Sequence, residues 1–189
     1  MANKGSLGST RMESLGLALV PESLREVFSF GKPFLSPSDV KGTTVRTPTS
    51  DMSSQVFKAL GATTNDPAGP GESFDQAIAD GTVAGGESEF ATASFAKPAT
   101  GTANIVPYPK VNALVVNQGE FAQLSPTQQD ILRQAAIKTR HWGVSVMADP
   151  ADGAAQYCKE GGTVVNTTDK NLGDMAHRLL TDPFNFDHD

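Results

Sequence analysis

The sequence predicts an α/β fold built on a mostly parallel sheet, and three features carry that expectation. Short apolar runs alternate with segments of helical periodicity from Asp39 onward. Glycines stand just past the apolar-faced segments, at Gly61, Gly81 and Gly161-Gly162, where a helix most easily ends in a left-handed residue. Ser125-Pro126-Thr127-Gln128 then opens a long helix with an N-cap hydroxyl, a proline at the first helical position and a glutamine at the third.

Taken in order, residues 1–14 are rich in Gly and Ser without periodicity, a flexible leader expected to contribute no core. Leu15 to Val20, ended by Pro21, reads as a buried strand. Val27 to Ser38 alternates Phe28 and Phe30 with polar residues before two prolines, so it reads as a strand leaving toward the surface. A turn over Asp39 to Gly42 leads to a strand over Thr43 to Thr47 and, after Pro48, to a helix. That helix is capped by Thr49 or Ser50, stopped by Gly61, and faced with Met52, Val56, Phe57 and Leu60. The unit repeats with a strand over Ala62 to Thr64, a helix over Ser73 to Asp80 carrying Phe74, Ala77 and Ile78 inward, and a strand over Thr82 to Ala84. Asn104 to Tyr108 and Val111 to Asn117 read as extended segments separated by Pro109. The helix opened at Ser125 places Leu124, Gln128, Ile131, Ala135, Thr139, Trp142 and Val146 on one stripe and is expected to reach about Ala148, a length of about 35 Å. A helix over Ala151 to Lys159, a strand over Thr163 to Val165, a helix over Asn171 to Leu180 and an acidic, frayed tail complete the reading.

Composition narrows the function classes. A chain of 189 residues with 38% apolar content is long enough for one good core or two small lobes. A net charge of −6 repels phosphate backbones, which argues against nucleic acid as partner. The longest apolar run, near Val111 to Val116, spans only a strand, so a soluble protein is expected. The single cysteine, Cys158, has no internal partner and no His or Cys cluster for a metal; on a helix it reads as a small apolar side chain. The first ten residues lack the apolar run of a signal peptide, which leaves a cytoplasmic protein or a mature piece or fragment.

No catalytic constellation stands out, and no enzyme activity and no cofactor are expected. His141, His177 and His188 are scattered, and two of them fall on predicted helices. Gly81-Thr82-Val83-Ala84-Gly85-Gly86 follows a helix and precedes a strand, the reverse of a dinucleotide fingerprint. Asp187 and His188 resemble metal ligands by composition alone and read as part of the tail. Arg46 is different. It sits near the end of a predicted strand and just before a helix, where an open α/β sheet faces its ligand crevice and spare helix N–H groups face an anion. A guanidinium there can grip a carboxylate through two parallel hydrogen bonds; equally, it can be a surface arginine paired with an acid.

Several segments resemble one family. Asp39-Val40-Lys41-Gly42-Thr43-Thr44-Val45-Arg46-Thr47-Pro48, followed by Leu60-Gly61-Ala62, is similar to a segment of the solute receptors of tripartite ATP-independent periplasmic (TRAP) transporters. Glu72, Ala77-Ile78 and Gly81 match a further stretch; Val83 to Glu87 is similar to the family's Val-Asp-Gly-x-Glu, and Leu124 to Gln129 to the start of its long bridging helix. The motifs keep the family's order over about residues 15–166.

The resemblance implies a two-lobed α/β receptor, periplasmic-binding-protein-like of type II, with its first lobe incomplete because only the C-terminal two-thirds is represented. Residues 1–14 would then be a leader, 15–22 and 111–149 a remnant of lobe I with the bridging helix, 23–110 and 150–180 lobe II, and 181–189 a frayed tail. It implies an extracytoplasmic protein that closes on a small organic acid and hands it to membrane permease subunits. Arg46 stands where the family keeps the arginine that pairs with the substrate carboxylate. Glu87 and Ser88 neighbour it, Ser88 in place of a ligand-contacting asparagine, and Ala84 replaces the usual aspartate. Pro70 stands near an aromatic position, Arg25 resembles a second binding arginine, and Asn112 enters a predicted interlobe strand. The missing first lobe also leaves open a second expectation, a truncated non-binding remnant that serves as a structural module or self-associates through exposed lobe I surface.

Overall fold

The computed structural model of the chain describes residues 13–65, 72–147 and 149–181. In chain order its elements are β1 (Ser14–Pro21), β2 (Glu26–Ser29), α1 (Pro37–Val40), β3 (Thr44–Arg46), α2 (Asp51–Ala59), β4 (Thr63–Asn65), α3 (Glu72–Asp80), β5 (Gly85–Ser88), β6 (Thr100–Thr102), β7 (Val111–Asn117), α4 (Gln118–Gln123), α5 (Pro126–Ser145), α6 (Pro150–Lys159), β8 (Thr163–Val165) and α7 (Asp169–Thr181). The chain divides into two compact units, Met1–Glu22 with Val111–Met147, and Ser23–Lys110 with Ala148–Asp189.

The second unit is a six-stranded sheet in the order β4-β3-β5-β2-β6-β8. β3 runs parallel to β4 and β5, and β6 parallel to β8, while β2 runs antiparallel to both its neighbours. Because side chains alternate across a strand, consecutive residues of β2 feed two different cores. Val27 joins Val45, Phe57, Leu60 and Met175 beneath α2 and α7. Phe28 packs on the other face against Phe90 and Tyr157, with ring centroids 5.2 and 5.4 Å away in edge-on geometry. Phe74, Ile78 and Val83 seat α3 on that same face beside Phe30.

Several expectations need correction here. The segment from Val27 does not leave toward the surface: all four residues of β2 are buried in the middle of the sheet. Its polar members, Glu26 and Ser29, are buried with the rest, so their alternation with phenylalanine does not mark a solvated face. The strand expected over Thr82 to Ala84 lies at Gly85–Ser88 instead, and β6, with sequence Thr-Gly-Thr, had no counterpart in the reading. The two displacements share a cause. A Cβ on Gly85 would stand 2.4 Å from both the Phe28 carbonyl oxygen and the Phe34 ring, and one on Gly101 would stand 2.4 Å from the Phe90 ring. Only glycine fits where aromatic rings come this close to the strand, so these strands lack the apolar residues that announce a strand in sequence.

α2 and its exit follow the local signals closely. Ser50 caps it by accepting the Ser53 amide, and Gly61 leaves it at φ +87°. Met52, however, is exposed, and Ser53 takes the inward position.

The first unit is slighter. β1 and β7 form an antiparallel two-stranded ribbon with an irregularity between Gly16 and Ala18. α5 runs 20 residues from a complete capping box in which Ser125 and Gln128 satisfy each other's backbone amides. It meets β1 through small residues. Ala136 and Gly143 are its buried residues, and a Cβ on Gly143 would stand 2.6 Å from Val20 Cγ1. Of the stripe expected from Leu124 to Val146, Gln128, Ile131, Ala135, Thr139, Trp142 and Val146 are all exposed. Small residues let the helix sit close to the ribbon, and close approach rather than apolar periodicity selects the packed face.

Cys158 lies exposed on α6. No helix of the described residues is long and apolar enough to cross a membrane.

Candidate functional site

The second unit gathers polar side chains at one end of its sheet, where β3 and β5 finish and β2 begins. Register divides them between the faces. Arg46 pairs with Gly86, and Ser88, two residues on, pairs with Glu26, so Arg46, Ser88 and Glu26 belong to the face that carries Phe28. Glu87 pairs with Val27 and belongs to the other face, with Arg25 and with Ser53 of α2.

Glu87 is the hub of its face. Its side chain is fully buried, and it accepts from Arg25 Nε at 3.3 Å, from Ser53 Oγ at 3.0 Å and from the Tyr108 hydroxyl in a short hydrogen bond. Three donors on one carboxylate, one of them a cation, are what a buried charge requires. Burial pushes the Tyr108 phenol well above its usual range, and the Glu87 carboxylate it donates to pushes it further, so the donor stays protonated. Ser53 and Tyr108 were not among the residues the sequence pointed to. A serine on a helix and a tyrosine between two prolines carry no local signal of this role, because the partner that defines it is distant in the chain.

On the other face Arg46 is only partly buried, and its guanidinium lies over the Phe74 ring with Cζ 5.2 Å from the centroid. Its Nε is buried and meets no hydrogen-bond partner among the described residues. An unmatched donor of this kind costs about 1–3 kcal/mol, which an incoming acceptor would offset. Gly86 beside it contributes no side chain to that face of the strand.

Glu26 was also not singled out by sequence. It is 2% exposed, and its Oε2 has no partner among the described residues. Burial raises its pKa from 4.5 to about 7; the Phe90 amide and Arg25 oppose the shift and Glu89 adds to it.

Of the other expected residues, Asn112 lies in the first unit, on β7, and donates to Glu22. Pro70 falls outside the described residues. The second unit also holds a cavity of about 370 Å³ lined by residues such as Phe30, Lys32, Asp39 and Lys97. Its cations are already engaged: Lys32 pairs with Asp39 at 2.5 Å, and Lys97 donates to the Ile78 and Ala79 carbonyls at the end of α3. Arg46, whose buried Nε is unmatched among the described residues, is therefore the stronger anion candidate. The described residues contain no cluster of three or more metal-binding side chains.

Known proteins share this architecture. A TRAP periplasmic solute-binding protein from Ralstonia eutropha H16, solved with bound (S)-2-acetolactate, superposes with a TM-score of 0.72 at 20% identity, over 89% of this chain and 56% of that one. A counterpart from Rhodoferax ferrireducens with bound malonate gives 0.69 at 22% identity, over 89% and 54%. The periplasmic ectoine-binding protein of a Halomonas elongata TRAP transporter gives 0.74 at 20% identity, over 89% and 56%. The chain thus spans just over half the length of these receptors. No curated protein matches it. The family model for bacterial extracellular solute-binding proteins, family 7, matches residues 7–181. The chain is a member of that family, the solute-binding components of TRAP transporters.

Proposed function

We propose that this chain binds a small organic carboxylate through Arg46 and delivers it to the membrane permease subunits of a TRAP transporter. The observation that carries the reading is the guanidinium of Arg46 at the carboxyl end of β3, over the Phe74 ring, with a buried Nε that meets no acceptor among the described residues. The ring contact restrains the side chain, and a planar fork matches a carboxylate in two parallel hydrogen bonds. Arg25 is a weaker anchor because Glu87 already neutralises it. In this reading Glu87 holds Arg25 in place rather than touching solute, Ser88 supplies a hydroxyl on the Arg46 face, and Asn112 and Pro70 stay secondary. Acetolactate and malonate in structures of the same fold support a carboxylate as the solute class.

The test is calorimetric titration of the chain with a panel that includes acetolactate, malonate and galactonate. At least one acid should bind, Arg46→Ala should weaken it by about 100-fold or more, and Arg46→Lys should restore only part. Unchanged affinity in Arg46→Ala, or a panel without a binder, would remove the reading.

A further inference from the structure

Tyr108 belongs to no helix or strand, yet the chain defines its place narrowly. Proline stands on both sides of it, and a residue followed by proline is held to extended backbone. Upstream, the same connector is pinned twice. Asn104 donates to the Thr167 carbonyl at 2.9 Å and accepts the Thr167 amide at 2.8 Å, and Ile105 is buried in the core with Val27, Phe57 and Met175. The phenol therefore reaches Glu87 from backbone that has little freedom to move.

The two oxygens of Glu87 are used differently. Oε1 accepts both hydroxyls, from Ser53 at 3.0 Å and from Tyr108 in the short bond, while Oε2 accepts Arg25 Nε at 3.3 Å. Two donors held by separate parts of the chain, helix α2 and the connector, fix the rotation of the carboxylate and so aim its other oxygen. Arg25 depends on that aim. It stands just before β2, outside the paired strand, and a long side chain there has many rotamers to lose. Its bond to Glu87 is made by Nε, at the neck of the guanidinium rather than by the paired amines at its tip, so Glu87 sets the direction of the group. We infer that Tyr108 is a positioning residue of the solute site: acting through Glu87, it fixes the direction in which Arg25 presents its guanidinium at the end of the sheet where Arg46 also stands. Because Glu87 offsets the charge of Arg25, what the cluster contributes is orientation more than attraction. The inference rests on the carboxylate reading for its role in binding, and on the Glu87 hydrogen bonds for its mechanics.

Tyr108→Phe keeps the ring and removes only the hydroxyl, which makes the test direct. Isotopically labelled arginine reports each Nε–H by nuclear magnetic resonance, and Arg25→Lys identifies the Arg25 signal by deleting it. In the parent chain that proton should exchange slowly with solvent, as a donor to a buried carboxylate does. Tyr108→Phe should speed its exchange by about tenfold or more while the backbone amides of β2 keep their rates. Titrated with an acid that the parent binds, Tyr108→Phe should weaken binding by about tenfold, and in an Arg25→Gln background it should weaken it no further. Plain structural support would instead add its loss in both backgrounds. Unchanged exchange in Tyr108→Phe, or an equal loss of affinity with and without the Arg25 guanidinium, overturns the inference. A panel in which no acid binds removes the carboxylate reading and with it the role in binding. The Arg25 signal, which needs no solute, still decides whether Tyr108 holds the guanidinium, so the two failures are told apart.

Discussion

The two units of this chain treat the same raw material in opposite ways. In the second, helices α2 and α7 press large apolar residues onto one face of a six-stranded sheet, and Phe28, Phe90 and Tyr157 close the other. In the first, a helix with a stripe just as regular turns that stripe outward and packs through Ala136 and Gly143. The difference teaches that periodicity says a face is suited to burial, while burial itself depends on having something to bury it against. A sheet of six strands supplies that surface; a ribbon of two does not.

Substitutions can break or sharpen the contrast. The largest effect is expected from Phe57→Ala, which empties a fully buried position beneath the sheet and should cost about 3–5 kcal/mol in urea unfolding, whereas Trp142→Ala on the open stripe should stay within about 0.5 kcal/mol. Equal losses at the two sites would erase the distinction between the units.

Glu26→Gln tests the buried carboxyl of the second unit. Below pH 4.5 the folded and unfolded chains both hold the proton. Between 4.5 and about 7 only the folded chain does, so stability falls as pH rises through that window, and above it the loss is complete. The variant cannot lose a proton there and lacks this pH dependence. Relative to the parent it should gain about 3 kcal/mol on going from pH 4.5 to pH 8, measured by unfolding at several pH values. A constant difference across the window would show that Glu26 titrates normally.

The smallest change concerns the first unit, where helix α5 relies on its local start signal. Ser125→Ala removes the acceptor for the Gln128 amide and should cost about 1 kcal/mol, read as lower amide protection in α5 while α2 is unaffected.

Much of this molecule was legible before its structure. The strand ending at Arg46, the caps of α2 and α5, the glycine exits at Gly61, Gly81 and Gly161, and the helices near the C-terminus all follow from interactions within a few residues. The placement of Arg46 at a strand end was legible for the same reason. Its contact with the Phe74 ring was not, since that contact joins positions 28 residues apart in sequence. The Glu87 cluster was legible only in pieces: Arg25 and Glu87 drew notice separately, while Ser53 and Tyr108 gave no sign of belonging to them.

By itself, then, the sequence determined where helices start and stop and which residues suit a strand, because caps, left-handed glycines and side-chain alternation act over one or two turns of chain. Tertiary structure alone decided that glycines fill β5 and β6, that Glu26 and Glu87 lie on opposite faces, and that the α5 stripe looks outward. Those outcomes depend on which surfaces meet and how closely, and the Phe28 ring against Gly101 or Val20 against Gly143 sets a distance no local pattern contains.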